Sequence, residues 1–207
     1  MAGGKSTRFI FDKIKCKYRE KLLLPLGGKH LIEYVIDAAL ASKNINRLII
    51  AVSPFTPYTK SIIEVKKPSI ELIETPGVGY HFDVQFIIKN LKLEITMTIV
   101  ADLPLIKPEI IDEIIEKYFI FNKPALSVMI DAKSFAQHGL TPTITFQSNY
   151  GQKSLVPLGI NVIDGRLIDQ PKLDEAIFIS ERLELMYNIN TVDDYFQLIK
   201  YFNKKEK

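Results

Sequence analysis

Two glycines, a lysine, two hydroxyl side chains and an arginine stand within the first eight residues, as Ala2-Gly3-Gly4-Lys5-Ser6-Thr7-Arg8. A glycine has no Cβ, so its backbone N–H can approach a ligand closely and its φ can turn positive. Ser6 and Thr7 can donate hydrogen bonds, and Arg8 can fork onto two phosphate oxygens as a permanent cation. This is chemistry for holding a polyphosphate on bare backbone and charge. The spacing is not the G-x-x-x-x-G-K-[ST] of ATPase phosphate loops.

Three further polar positions lie where apolar runs begin or stop. Lys21 precedes "LLLPLGGK" and offers charge against phosphate. Asp102 follows "TIVA" and precedes Leu-Pro; a carboxylate there needs a partner, and Mg²⁺ uses only one or two protein carboxylates. In "YNIN", Asn188 and Asn190 alternate, so at the end of a strand both face one side. The amide oxygen of Asn190 is a candidate for the same metal shell.

The elements that must carry these residues alternate. Short β-branched runs at 47–53, 69–74, 94–102 and 125–131 read as strands, and the stretches 30–43, 58–67, 81–91 and 108–119 between them read as helices. In the first helix Leu31, Tyr34, Val35 and Ala38 recur at i, i+3, i+4 and i+7. Pro108 suits a first helical turn ahead of the stripe Ile110, Ile111, Ile114 and Ile115. Strand–helix alternation implies an α/β fold: a Rossmann-like, mostly parallel sheet with helices on both faces. Beyond about residue 130, "TPTITFQ" and "LVPLGINVIDGRLI" read as extra strands laid over one edge. Thr191 to Phe202 reads as a closing helix, with Thr191 as N-cap and Asp193 and Asp194 in its first turn. One domain over 1–207 is expected, with residues 1–130 binding nucleotide and 131–207 forming the acceptor side and closing helix. Ligands of such sheets sit outside the carboxyl ends of the strands, where these polar residues fall.

Composition narrows the partners. The chain has 207 residues, 27 Lys+Arg against 24 Asp+Glu, and 47% hydrophobic residues. The charge excess is too small, and too little interleaved with aromatics, for a nucleic-acid face. No apolar run reaches the ~18 residues of a membrane span, so no membrane insertion is expected, and the simplest address is cytoplasmic. Cys16 is the one cysteine, which excludes an intrachain disulfide and a cysteine-based zinc site. His30, His81 and His138 lack metal-ligand spacing and read as cap or surface residues. "NKKEK" at the C-terminus reads as a solvated tail.

The order of these motifs resembles nucleotidyltransferases of the sugar-nucleotide and cofactor-guanylylating type, over nearly the whole chain. "MAGGKSTR", "SPFTPYTK", "TPGVGY", "LVPLGINVI" and "NINTVDDY" are most similar to the archaeal guanylyltransferases acting on adenosylcobinamide phosphate. The resemblance implies GTP and adenosylcobinamide phosphate as substrates, Mg²⁺ as cofactor and pyrophosphate as product, in cobalamin biosynthesis. It implies catalytic roles for Arg8 and Lys21. Nucleotide contacts fall to Ala2, Gly3, Gly4, Lys5, Ser6, Thr7, Ser53, Gly77, Gly79 and Asp102, and metal contacts to Asp102 and Asn190. Gly159 and Asn161 are implied near the acceptor. The bottom-up reading adds that "PGVG" opens a helix at Tyr80 after a strand, and that a helix N-terminus favours anions.

The sequence departs from the family pattern in three places. The family's apolar strand before Ala-Gly-Gly is missing, so a slot in the core and a start upstream of Met1 are expected. Lys21 precedes Leu22 where the family often has proline, and Ser6 stands where glycine is common. A molybdenum cofactor or sugar-phosphate nucleotidyltransferase, and a nucleotide-binding module without turnover, remain alternative readings. A homodimer through the late strands is compatible with the sequence.

Overall fold

The structure is a computed structural model that describes residues 1–14, 16–142, 144–147 and 154–205. Lys15, Thr143 and the last two residues of the tail, which belong to stretches read above, lie outside the described residues.

After the glycine-rich segment, β1 (Pro25–Leu26) and β2 (Lys29–His30) make a small hairpin leading into α1 (Leu31–Ala41). Then follow β3 (Ile49–Val52), α2 (Pro57–Lys66), β4 (Glu71–Glu74), α3 (Tyr80–Leu91), β5 (Ile95–Ile99) and α4 (Pro108–Phe121). The C-terminal third holds β6 (Ala125–Asp131), α5 (Ala132–Gln137), β7 (Phe146–Gln147), β8 (Ser154–Asp164), β9 (Glu175–Ile179) and α6 (Val192–Lys205). The helices expected from periodicity therefore stand within a few residues of their places. Pro108 opens α4 at its first turn, where its missing N–H has no intrahelical bond to make.

The sheet is mixed, which corrects the expectation of extra strands over one edge. The long β8 runs antiparallel between β5 and β6, and β9 lies outside β6 in parallel. A central antiparallel strand needs no crossover helix, so the strand–helix rhythm gives no sign of it. Along β8 the even-numbered Val156, Leu158, Ile160 and Val162 enter the main core with Val35 of α1 and Ile111 and Ile114 of α4. The odd-numbered Asn161 faces the other way, toward α3.

Between β3 and β5 the sheet is open. β3 pairs with β4 on one edge and β5 with β8 on one edge, and among the described residues backbone hydrogen bonds from Met1 and Ala2 reach both halves. Ala2 N–H donates to Ala51 O at 2.7 Å, the Met1 ammonium to Ile99 O at 2.7 Å, and Ala101 N–H to Met1 O at 3.1 Å. A second apolar cluster ties Phe9, Phe11, Leu24 and Leu26 to Tyr195 and Leu198 of α6. Tyr195 O–H also donates to Pro25 O at 2.6 Å, so the closing helix clamps the segment that follows the glycine-rich loop. Among the described residues, no helix is long and apolar enough to cross a membrane.

Candidate active site

A cleft of about 530 Å³ opens at the carboxyl ends of β3 and β5. Loop 2–8 forms one wall, and Lys21, Gly77, Gly79, Asp102 and Asn190 complete it. Twelve of the residues singled out in the sequence thus meet in one place, from segments as far apart as Ala2 and Asn190.

The loop is held from behind. Ser53, at the end of β3, is buried; its hydroxyl donates to Gly3 O at 2.7 Å and accepts from Phe55 N–H at 3.2 Å. A Cβ on Gly3 would stand 2.9 Å from Ser53 Cβ, whereas one on Gly4 would meet nothing within 4 Å. Gly3 is therefore required by close packing, and Gly4 leaves backbone bare toward the cleft. Ser53 is not among the residues that line the cleft, and through Gly3 it supports the loop. Ser6 takes φ +51°, the left-handed conformation in which glycine is free of strain, and its carbonyl accepts from Phe9 N–H at 3.0 Å. The Lys5 ammonium lies 4.4 Å from the centre of the Phe55 ring.

Two charge contacts organise the floor. Lys21 Nζ donates to Asp102 Oδ2 at 2.5 Å, with both side chains largely buried. The other oxygen, Asp102 Oδ1, is buried and has no hydrogen-bond partner among the described residues. Arg8 donates to Asn190 Oδ1 at 2.7 Å. Asn190 was expected at a strand end, but a 3₁₀ turn at Leu183–Met186 precedes it and no strand forms there. Its place depends on the start of α6 instead: Asn190 N–H and Thr191 N–H donate to Asp194 Oδ2, and Asp194 N–H donates to Thr191 Oγ1. Thr191 is thus the cap that the sequence suggests, and Asn188 lines a second, smaller cavity together with Asn190 and Arg8.

The orphaned Asp102 oxygen tests whether a divalent cation suits this chain. A buried carboxylate oxygen without a donor is costly unless a cation or proton meets it, and a hard cation prefers such oxygens. Asp102 and Asn190 line the same cleft, so the donor set suits the group. No cluster of three or more His, Cys, Asp or Glu that could hold a metal occurs among the described residues.

The opposite wall is the turn into α3. Gly77 and Gly79 have φ of +70° and +144°, and a Cβ on Gly77 would stand 2.8 Å from the Phe55 ring. Gly77 N–H donates to the buried Asp83 carboxylate at 3.0 Å, which fixes the turn to its own helix. Tyr80 anchors it to the sheet: its hydroxyl lies 2.7 Å from Thr98 Oγ1 and accepts from Asn161 Nδ2 at 2.8 Å. Burial pushes the Tyr80 phenol above its ordinary pKa.

Asn161 and Gly159 stand apart from the cleft. Both ends of the Asn161 amide are engaged, the Nδ2 by Tyr80 and the Oδ1 by Ser127 Oγ at 2.8 Å. Gly159 lies at a bulge in β8 with φ +68°, where a Cβ would stand 2.6 Å from Val100 Cγ1. Neither lines the cleft described above. Gly159 O accepts from Val100 N–H at 3.1 Å, and Asn161 secures Tyr80.

Sequence reasoning passed over Glu20. Its buried carboxylate accepts from Tyr58 N–H at 2.8 Å and Thr59 N–H at 2.7 Å, capping α2 from a distant segment and bracing the irregular segment before Lys21 against the helix after Ser53. No sequence signal marks it, because the cap comes from 38 residues away. Asp83 was more legible, as an acidic residue in the first turn of a helix.

Residues 1–140 match the family described as the MobA-like NTP transferase domain. The chain is 34% identical to the adenosylcobinamide-phosphate guanylyltransferase of Methanocaldococcus jannaschii, covering all of this chain and 96% of that one. It is 30% identical to a probable molybdenum cofactor guanylyltransferase of Thermococcus sibiricus, over 59% of this chain and 55% of that one. Among solved structures it resembles a nucleotidyl transferase from Methanothermobacter, with a TM-score of 0.66 at 16% identity, covering 99% of this chain and 95% of that one.

Proposed function

The chain belongs to the MobA-like NTP transferase family, and from that premise we propose that it moves GMP from GTP onto the phosphate of adenosylcobinamide phosphate, releasing pyrophosphate. Transfer of a nucleotidyl group is the chemistry of the family. What supports the particular acceptor is that similarity to the cobinamide enzyme runs the full length of the chain, whereas similarity to the molybdenum cofactor enzymes covers little more than half. In this reading residues 1–130 bind the nucleotide and 131–207 supply the acceptor side and the closing helix.

An oxygen of the acceptor phosphate attacks the α-phosphorus of GTP. The bond from that phosphorus to the bridging α–β oxygen breaks, and pyrophosphate departs in line with the attack. Little covalent work falls to the protein, so positioning and charge supply the rate. Backbone N–H groups of loop 2–8 hold the β- and γ-phosphates, with Ser6 and Thr7 as side-chain donors. Arg8 turns from Asn190 onto the phosphates, and Lys21 offsets charge growing on the leaving group. Gly77 and Gly79 leave room for the nucleoside beside the start of α3. Asp102, with Asn190, would hold a divalent cation, Mg²⁺ in this reading. Bound there, the cation lowers the cost of charge on the phosphate oxygens.

The single observation that carries the site is the Asp102 carboxylate, with one oxygen on Lys21 and the other unpartnered at the floor of a cleft walled by bare glycine backbone. Incubation with GTP, Mg²⁺ and adenosylcobinamide phosphate tests the function. A product heavier than the acceptor by one guanylyl unit is expected. The unchanged acceptor, alongside a guanylylated molybdenum cofactor precursor in a parallel reaction, would move the assignment to the other branch of the family.

A further inference from the structure

We infer that Asp83 reads the base: its carboxylate accepts from the N1–H and exocyclic N2–H edge of guanine, and so selects GTP over other nucleoside triphosphates. This rests on the reading that the cleft binds a nucleoside triphosphate with its nucleoside beside the start of α3.

Two of the residues that line the cleft carry carboxylates, Asp102 and Asp83. Their partners differ. Asp102 is paired with the Lys21 ammonium. Asp83 is buried, and no cation lies within ion-pair distance of it among the described residues. Its Oδ1 accepts from Gly77 N–H at 3.0 Å, and its Oδ2 has no hydrogen-bond partner among the described residues. A buried carboxylate held on one oxygen and open on the other calls for further donors.

Phosphate cannot supply them. The amino end of α3 attracts negative charge, but Asp83 in its first turn already meets that attraction. A phosphate beside Asp83 is repelled, so this end of the cleft suits the uncharged end of the nucleotide. Arg8 and Lys21, on the other side of the cleft, carry the charge that phosphates need.

Guanine presents two adjacent N–H donors on one edge. Adenine and cytosine set a ring lone pair next to their amino group, and uracil flanks its one N–H with carbonyls. An ionised carboxylate only accepts, so it pairs with the guanine edge and repels a ring lone pair. The Tyr80 hydroxyl at the same turn is already committed to Thr98 and Asn161. Val78 lines the same wall and is 68% exposed, which offers the ring an apolar surface.

Calorimetric binding to the full chain, with Mg²⁺ and without acceptor, tests this apart from turnover. The unaltered chain should bind GTP at least ~100-fold more tightly than ATP, and about tenfold more tightly than inosine triphosphate, which lacks the 2-amino group. Asp83→Asn keeps an oxygen for Gly77 N–H and puts an N–H donor in place of the open oxygen. It should weaken GTP by about 30-fold or more and shift preference toward xanthosine triphosphate, whose C2 carbonyl accepts where guanine donates, with ATP changed by less than about threefold. A uniform loss across the four nucleotides in Asp83→Asn would mean a turn that has only lost its shape, and would overturn the inference. So would equal binding of GTP, inosine triphosphate and ATP by the unaltered chain, a comparison that needs no variant to fold. Binding of none of the four would overturn the nucleotide reading of the cleft, and this inference with it.

Discussion

Lys21 Nζ meets one oxygen of Asp102 at 2.5 Å, and the other oxygen of the same carboxylate has no partner among the described residues. The lysine orients the carboxylate and leaves half of its acceptor capacity for a ligand. Removing the lysine leaves a largely buried carboxylate uncompensated, which costs about 3–5 kcal/mol in comparable pairs. We therefore expect Lys21→Ala to lower stability in urea denaturation as well as turnover. Asp102→Asn should keep the fold, cut turnover at least ~100-fold and abolish the thermal shift produced by Mg²⁺ with GTP. A cation-dependent shift that survives Asp102→Asn would move the metal elsewhere.

The two adjacent glycines should respond differently. Gly3→Ala places a Cβ 2.9 Å from Ser53 Cβ, and the loop must shift to accept it. Displacements of this size at a phosphate site cost up to ~100-fold, so a rise in KM for GTP of at least ~10-fold is expected. Gly4→Ala meets no atom within 4 Å and should change KM by less than about threefold. Steady-state kinetics of the two variants decides it, and equal effects would mean that Ser53 does not set the position of the loop.

Glu20 links the segment before Lys21 to the first turn of α2 through Tyr58 and Thr59. Glu20→Ala leaves two buried helix-end N–H groups without their acceptor and should cost about 1–3 kcal/mol by chemical denaturation. Glu20→Gln keeps one acceptor oxygen and should lose less. Stability unchanged in Glu20→Ala would show that the cap contributes nothing measurable.

Much of the site was legible because its polar residues interrupt the apolar pattern: Asp102 follows the run of β5, Lys21 opens an apolar run and Asn190 stands just before the closing helix. The helices were legible for a similar reason: the stripes on α1 and α4 are long and periodic. What escaped were relations that sequence spacing does not encode. β8 reads as an apolar run wherever it sits, so nothing local distinguished the centre of the sheet from its edge. Asn161 and Tyr80 are 81 residues apart, and the sheet register brings the amide to the phenol. Ser53 was read as a nucleotide contact, and no sequence signal showed that its hydroxyl would donate to Gly3 O.

Pyrophosphate release from GTP with Mg²⁺, measured with and without cobinamide phosphate, tests the central claim most directly. The account predicts release that requires the acceptor and disappears in Asp102→Asn. Release that proceeds at the same rate without cobinamide phosphate, or that survives loss of the Asp102 charge, would contradict it.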